Sequence, residues 1–219
     1  NPIDAIWTDR PAPPRARVTP QPEVFSGESA ADKRTRIGKA IADAGADVAV
    51  LTSPASLAWL LNIRGGDVPR TPLPLGAALA HADGSVDLFI APEKIDDAAR
   101  SWLGNAVALH DEAAFGPALA GLAGKTALAD PASAAASVFN ALDAAGAAVR
   151  RAPDPCILPR ACKNEVEIEG ARRAHLRDGA AVSRFLAWFD AEAPKGTLTE
   201  IEVARALEAF RRDTGELVD

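Results

Sequence analysis

The sequence predicts an α/β fold: a mixed, mostly parallel sheet with helices on both faces, followed by helices that have no sheet of their own. Three observations lead there. From residue 28 to about 151, short apolar runs of strand length alternate with amphipathic segments of helix length, the rhythm of βαβ units. Asp83-Gly84 joins two neighbouring strand candidates as a hairpin, which makes the sheet mixed. After Arg151 the strand signals stop, and two long amphipathic helices follow.

Along the chain, Asn1 to Trp7 (NPIDAIW) reads as the end of a helix. Thr8 to Gly27 holds Pro11, Pro13, Pro14, Pro20 and Pro22, the composition of a stiff extended linker. Ser29 fits a helix N-cap with Asp32 in the first turn; Ile37, Ala40, Ile41 and Ala44 share a face until Gly45 ends the helix. Val48 to Leu51 is a buried strand, and Ser56 to Leu61 a short helix. The glycine pair Gly65-Gly66 and the prolines up to Pro74 then feed an edge strand, Leu75 to Ala82. Its hairpin partner is Ser85 to Ile90, across a turn of the type I′ kind. Lys94 to Leu103 reads as helix, Ala106 to Leu109 as strand, Glu112 to Leu122 as helix and Thr126 to Ala129 as strand. Pro131 to Ala145 is a helix closed by Gly146, and Ala147 to Arg150 a last strand.

Pro153, Pro155 and Pro159 mark a second connection. Beyond it Ile168, His175, Val182 and Phe189 recur at heptad spacing, widened by Ala171, Ala174 and Phe185. Pro194-Lys195-Gly196 breaks that helix; Thr199 and Glu202 form a capping box ahead of Val203, Leu207 and Phe210. Two such helices have nothing to cover, so residues from about 160 onward read as the opening of a second domain.

The chain has 219 residues, 48% hydrophobic and 25% charged, as in an ordinary water-soluble globular protein with room for a sizeable core. A net charge of −6 with no Lys/Arg stripe argues against a nucleic-acid partner. No uninterrupted apolar run reaches membrane-spanning length, so no membrane partner and a cytoplasmic location are expected. The chain opens on Asn1-Pro2 without methionine and closes on Gly215 to Asp219, which reads as a sequence cut at both ends. Cys156 and Cys162 are the only cysteines and are expected to be inert reduced thiols.

The motifs that carry chemistry are mostly missing. Gly124-Lys125-Thr126 looks like the end of a phosphate-binding loop, but Leu119 stands where the first glycine belongs, and the triplet precedes a strand. Neither G-x-S-x-G nor G-x-G-x-x-G occurs. His81, His110 and His175 lie far apart in sequence. His110-Asp111-Glu112 sits between a strand and a helix, where capping is the leading reading and metal binding the other. His175 is expected in a core or between domains. Trp7, Trp59, Trp102 and Trp188 are expected to pack against helices.

Three stretches resemble a known family in its own order. Asn1 to Pro14 (NPIDAIWTDRPAPP) is similar to the end of the first domain and the linker of three-domain Xaa-Pro aminopeptidases, the aminopeptidase P family. Leu57 to Pro74 (LAWLLNIRGGDVPRTPLP) resembles that family's A-W-L-x-N-x-R-G-x-D segment in the middle domain. Cys162 to Asp190 (CKNEVEIEGARRAHLRDGAAVSRFLAWFD) resembles the helix that opens its catalytic domain. Phe210-Arg211-Arg212 and Val218-Asp219 fit the end of the next helix.

The resemblance implies a creatinase N-terminal-like middle domain over residues 28–155. Residues 1–27 would be the end of a preceding domain and a proline-rich linker, and 156–219 the first helices of an incomplete "pita-bread" domain. It implies a parent metallopeptidase that releases the residue before proline, with two Mn²⁺ ions, peptide substrates with proline in second place, and a homodimer as one allowed assembly. The family's ligands, two Asp, one His and two Glu, lie beyond Asp219, so no catalytic, metal or cofactor-binding residue is expected here, and Asp190, Glu200 and Asp219 are not assigned to that set. The chain alone is expected to be inactive. A prolidase or creatinase-like relative, and a non-catalytic homologue serving as an interaction module, are the alternatives. Arg64 and Asp67 flank the glycine pair and are expected to pair with each other or across a domain boundary, beside the substrate entrance.

Overall fold

A computed structural model describes residues 2–217; Asn1, Val218 and Asp219 lie outside them, and with them the reading of Val218-Asp219 as a helix end. The chain divides into two compact units, Asn1–Cys162 and Lys163–Asp219.

The first unit opens with α1 (Pro2–Ile6). The stretch expected to be linker carries β1 (Thr19–Pro20) and the one-turn α2 (Glu23–Ser26), and it puts Val18 into the core. Helix α3 (Ala30–Asp43) starts where expected, with the Ser29 hydroxyl accepting the Asp32 N–H at 3.0 Å. Its buried face differs: Lys33, Ile37, Gly38 and Ile41 are covered, whereas Ala40 is exposed.

Strand β2 (Val48–Leu51) is wholly buried and is followed by α4 (Pro54–Leu60) and the two-residue β3 (Ile63–Arg64), which pairs antiparallel with β1. Strands β4 (Ala77–His81) and β5 (Val86–Phe89) form the expected hairpin. Its turn is not type I′. Of its residues only Gly84 has positive φ, at 85°, and His81 N–H bonds the Ser85 carbonyl across a three-residue loop. Then follow α5 (Asp97–Leu103), β6 (Val107–His110), α6 (Phe115–Ala120), β7 (Thr126–Ala129), α7 (Ala136–Ala145), β8 (Ala148–Arg151) and α8 (Ile157–Ala161). Helices α5, α6 and α7 start later than the sequence pattern suggested. Asp96 caps α5, Asp111 caps a 3₁₀ turn ahead of α6, and the Asp130 carboxylate accepts the Ala132 N–H in a turn ahead of α7.

The sheet order is β6-β5-β4-β2-β7-β8, with β6/β5, β2/β7 and β7/β8 parallel and the two pairs around β4 antiparallel. Strand β4 is therefore interior, not an edge. Pro72 and Pro74 cost it nothing because both precede the ladder. Side-chain alternation sorts the core onto two faces. Ala49, Leu51, Ala78, Ala80 and Leu88 meet α3, α4 and α5, whereas Val48, Val50, Leu79, Phe89 and Ala127 meet α6 and α7.

The second unit is a pair of helices, α9 (Glu165–Glu192) and α10 (Glu200–Arg212), separated by a 3₁₀ turn over Ala193–Lys195. The Thr199/Glu202 capping box forms as expected; a second one, Asn164 with Glu167, opens α9. Asp178 takes the Arg211 guanidinium at 2.7 and 3.2 Å, fastening one helix to the other. Among the described residues, no helix is long and apolar enough to cross a membrane.

Candidate functional site

The segment from Leu57 to Leu75 is tied to the rest of the first unit by the buried side chains of Asn62 and Asp67. Ser56 to Leu60 are all buried, so α4 runs through the core and must stop before the chain can return to the surface. It stops at Leu61, and Asn62 takes a left-handed φ of 48°. The Asn62 side chain is held at both ends. Its Nδ2 donates to the Glu28 carbonyl at 2.8 Å, and its Oδ1 accepts the buried Lys33 ammonium at 2.7 Å. Lys33 also donates to the Trp59 carbonyl and lies 4.7 Å from the Trp59 ring centroid.

Past Asn62 the chain folds back on itself. Gly65 is required by close approach, since a Cβ there would lie 2.9 Å from the Pro74 Cα and nitrogen. Arg64 Nη1 donates to the Ala58 and Ile63 carbonyls at 3.3 and 2.8 Å. The Asp67 carboxylate is fully buried and accepts three donors: Ala16 N–H at 3.1 Å, Leu75 N–H at 2.7 Å and the Lys94 ammonium at 2.7 Å. Lys94 is also buried and donates to the Leu75 carbonyl at 3.1 Å. The expected Arg64–Asp67 pairing is thus replaced by Asp67–Lys94 within one unit. Lys94 and Lys33 had no local signal in the sequence, whereas Asn62 falls on the asparagine of the A-W-L-x-N-x-R-G-x-D resemblance.

A second cluster gathers residues that are distant in sequence. His81, Asp87 and His110 come from the neighbouring strands β4, β5 and β6, and each imidazole Nε2 lies 2.8 Å from a different Asp87 oxygen. His110 also stacks on Phe89 with centroids 5.0 Å apart. Burial pushes the Asp87 carboxyl up, but the hydrogen bonds and charge of the two histidines outweigh it and hold the group below its ordinary value. Asp111 and Glu112, next to His110 in sequence, go elsewhere. Asp111 accepts the Ala113 N–H, and Glu112 forms a two-pronged pair with Arg15 at 2.8 and 3.1 Å. Capping, not metal binding, accounts for Asp111.

The remaining candidates are local. His175 is exposed and bonds the Ala171 carbonyl of its own helix at 2.8 Å, so the expectation of a core histidine does not hold within its unit. Burial and the neighbouring Asp154 carboxylate push the Cys156 thiol well up, which makes it a poor nucleophile; Cys162 is an exposed thiol. Trp59 is buried, Trp102 donates to the Leu61 carbonyl and Trp188 packs on Phe185 and Phe210, but Trp7 stays 47% exposed. In the second unit Phe185, Phe189, Leu198, Val203 and Leu207 line an open apolar groove between the two helices. Among the described residues, no group of three or more His, Cys, Asp or Glu side chains could hold a metal ion.

Residues 9–167 match the family described as Creatinase/Prolidase N-terminal domain. Over 97% of the chain, the sequence is 32% identical to the probable Xaa-Pro aminopeptidase P of Leptosphaeria maculans and 34% identical to that of Laccaria bicolor. The chain spans only 37% and 34% of those two proteins, about a third of their length. The crystal structure of X-prolyl aminopeptidase from Caenorhabditis elegans, described as a cytosolic enzyme with a di-nuclear active site, matches 97% of the chain with a TM-score of 0.88 at 26% identity; the chain covers 35% of it.

Proposed function

Because this chain belongs to the creatinase/prolidase N-terminal domain family, we propose that it is part of a metal-dependent Xaa-Pro aminopeptidase, which releases the N-terminal residue preceding proline. In this reading residues 28–155 are the middle domain, residues 1–27 lead into it from a preceding domain, and residues 156–219 begin the catalytic domain. The observation that supports it most is extent: similarity to Xaa-Pro aminopeptidases P runs over 97% of the chain. Peptide substrates with proline second, two Mn²⁺ ions, a homodimer and a cytoplasmic location complete the proposal.

Among the described residues no group of side chains fits a two-metal centre, so no step of the hydrolysis is assigned to them. Their contribution is mechanical. The α/β unit buttresses the catalytic domain, and the loop after Arg64, anchored by Asp67 and Lys94, borders the substrate entrance. The longer enzyme, assayed with Mn²⁺, should release the first residue of Xaa-Pro peptides and leave peptides without proline in second place intact. Arg64→Ala should lower kcat/KM by about tenfold through loss of the loop's hydrogen bonds. Turnover without a requirement for proline, or unchanged kcat/KM in the variant, contradicts the reading.

A further inference from the structure

Helix α3 carries four cations, Lys33, Arg34, Arg36 and Lys39, and three of them are paired. Lys33 donates to Asn62 Oδ1 and to the Trp59 carbonyl. Arg36 meets Glu28 at 2.7 Å and lies over the Trp59 ring. Lys39 pairs with Asp43 one turn further on. Arg34 differs. The residue is half-buried, and its Nε is buried with no hydrogen-bond partner among the described residues. Burial alone pulls its guanidinium below the ordinary value, with no carboxylate acting against it.

The β4–β5 turn packs on the helix at this residue, since a Cβ on Gly84 would lie 3.4 Å from the Arg34 carbonyl oxygen. That turn holds a carboxylate, Asp83, but spends it on the Ser85 N–H and hydroxyl at 2.9 and 2.7 Å. Arg34 also stands in the second turn of α3, away from the C-terminal end where the helix dipole favours a cation. An aliphatic side chain would cover the same surface without desolvating a charge. A guanidinium gains here only when an anion meets it. Its planar fork grips a carboxylate through two hydrogen bonds, as Arg211 grips Asp178.

We infer that Arg34 anchors an interaction surface on α3 beside the β4–β5 turn, and that its occupant is an Asp or Glu side chain of the longer enzyme outside these 219 residues. The inference rests on the reading of the chain as part of a Xaa-Pro aminopeptidase. The chain spans 37% and 34% of the length of the two relatives, so in that reading most of the enzyme's carboxylates lie outside it. Charge complementarity then selects an acidic side chain, because the guanidinium meets none among the described residues.

The test compares wild type, Arg34→Met and Arg34→Lys, both in this chain and in the longer enzyme, by thermal melting at low and high protein concentration. In the chain alone Arg34→Met should raise Tm by about 2–4 °C, because it removes a desolvated, unpaired charge. In the longer enzyme the same change should lower Tm by about 2 °C or more, because it strands the carboxylate, and Arg34→Lys should restore part of the loss. A loss confined to the longer enzyme, equal at both concentrations and partly restored by lysine, supports the inference. A rise or no change in the longer enzyme, a loss already present in the chain alone, or a loss that lysine does not restore overturns it. A loss that grows with concentration assigns the carboxylate to a second copy and overturns it as well. Xaa-Pro turnover by the same wild-type enzyme is followed in parallel. With turnover intact, those contrary results overturn the inference alone; absence of turnover overturns the functional reading and this inference with it.

Discussion

Lys94 and Asp67 meet at 2.7 Å with both side chains essentially sealed from solvent, so removing one leaves the other as an uncompensated buried charge. Lys94→Met should destabilise the chain by about 3–5 kcal/mol, and the double variant Lys94→Met/Asp67→Leu by less. Urea unfolding of the variants checks this, and a double variant no better than the single one would contradict it. Asp87 adds a pH-dependent contribution. Its folded pKa is depressed, so its stabilisation is present above the unfolded value of about 3.9 and is lost as pH falls through the lower folded value. Asp87→Asn should therefore flatten the acid limb of a stability–pH curve, and an unchanged limb would rule out this assignment. The sequence marked Asp67 through its place beside a glycine pair. It gave no hint of Lys94, 27 positions away, because only the tertiary fold brings the two together. For the same reason His81 and His110, remote in sequence, converge on Asp87.

At the level of elements, α3 approaches the β4–β5 turn so closely that a Cβ at Gly38 would lie 2.8 Å from the Gly84 nitrogen and 2.9 Å from the Ala82 oxygen. Gly38→Ala should cost about 1–3 kcal/mol, because backbone must move on one side or the other. Gly170→Ala in α9 is the matched control. A Cβ there meets nothing within 4 Å, so the same change should stabilise by about 0.5–1 kcal/mol. Thermal melts of the two variants should move in opposite directions, and a shared direction would refute the packing argument. Strand and helix positions were largely legible from period and capping chemistry: Thr126–Ala129 and the Thr199 cap fall where the pattern put them. Turn type and strand order were not. The hairpin turn depends on how many residues the ladder leaves unpaired, and the interior place of β4 depends on pairing between segments distant in sequence.

For the whole molecule, two units of different character share one chain. The first has a closed two-faced core, whereas in the second Ala181 is the one described residue of α9 that is buried within the structure. Fold class and family were legible, because motif order and hydrophobic period survive in a single sequence. The backbone course of the loop after Arg64 was not, since it includes a left-handed φ at Arg70 that no periodicity reports. The central claim is that these residues scaffold a Xaa-Pro aminopeptidase without carrying its chemistry. The most direct measurement incubates this chain alone with Mn²⁺ and a Xaa-Pro-Ala tripeptide and follows free N-terminal amino acid. No release above the metal-only blank is expected; release that scales with the concentration of the chain would contradict the claim.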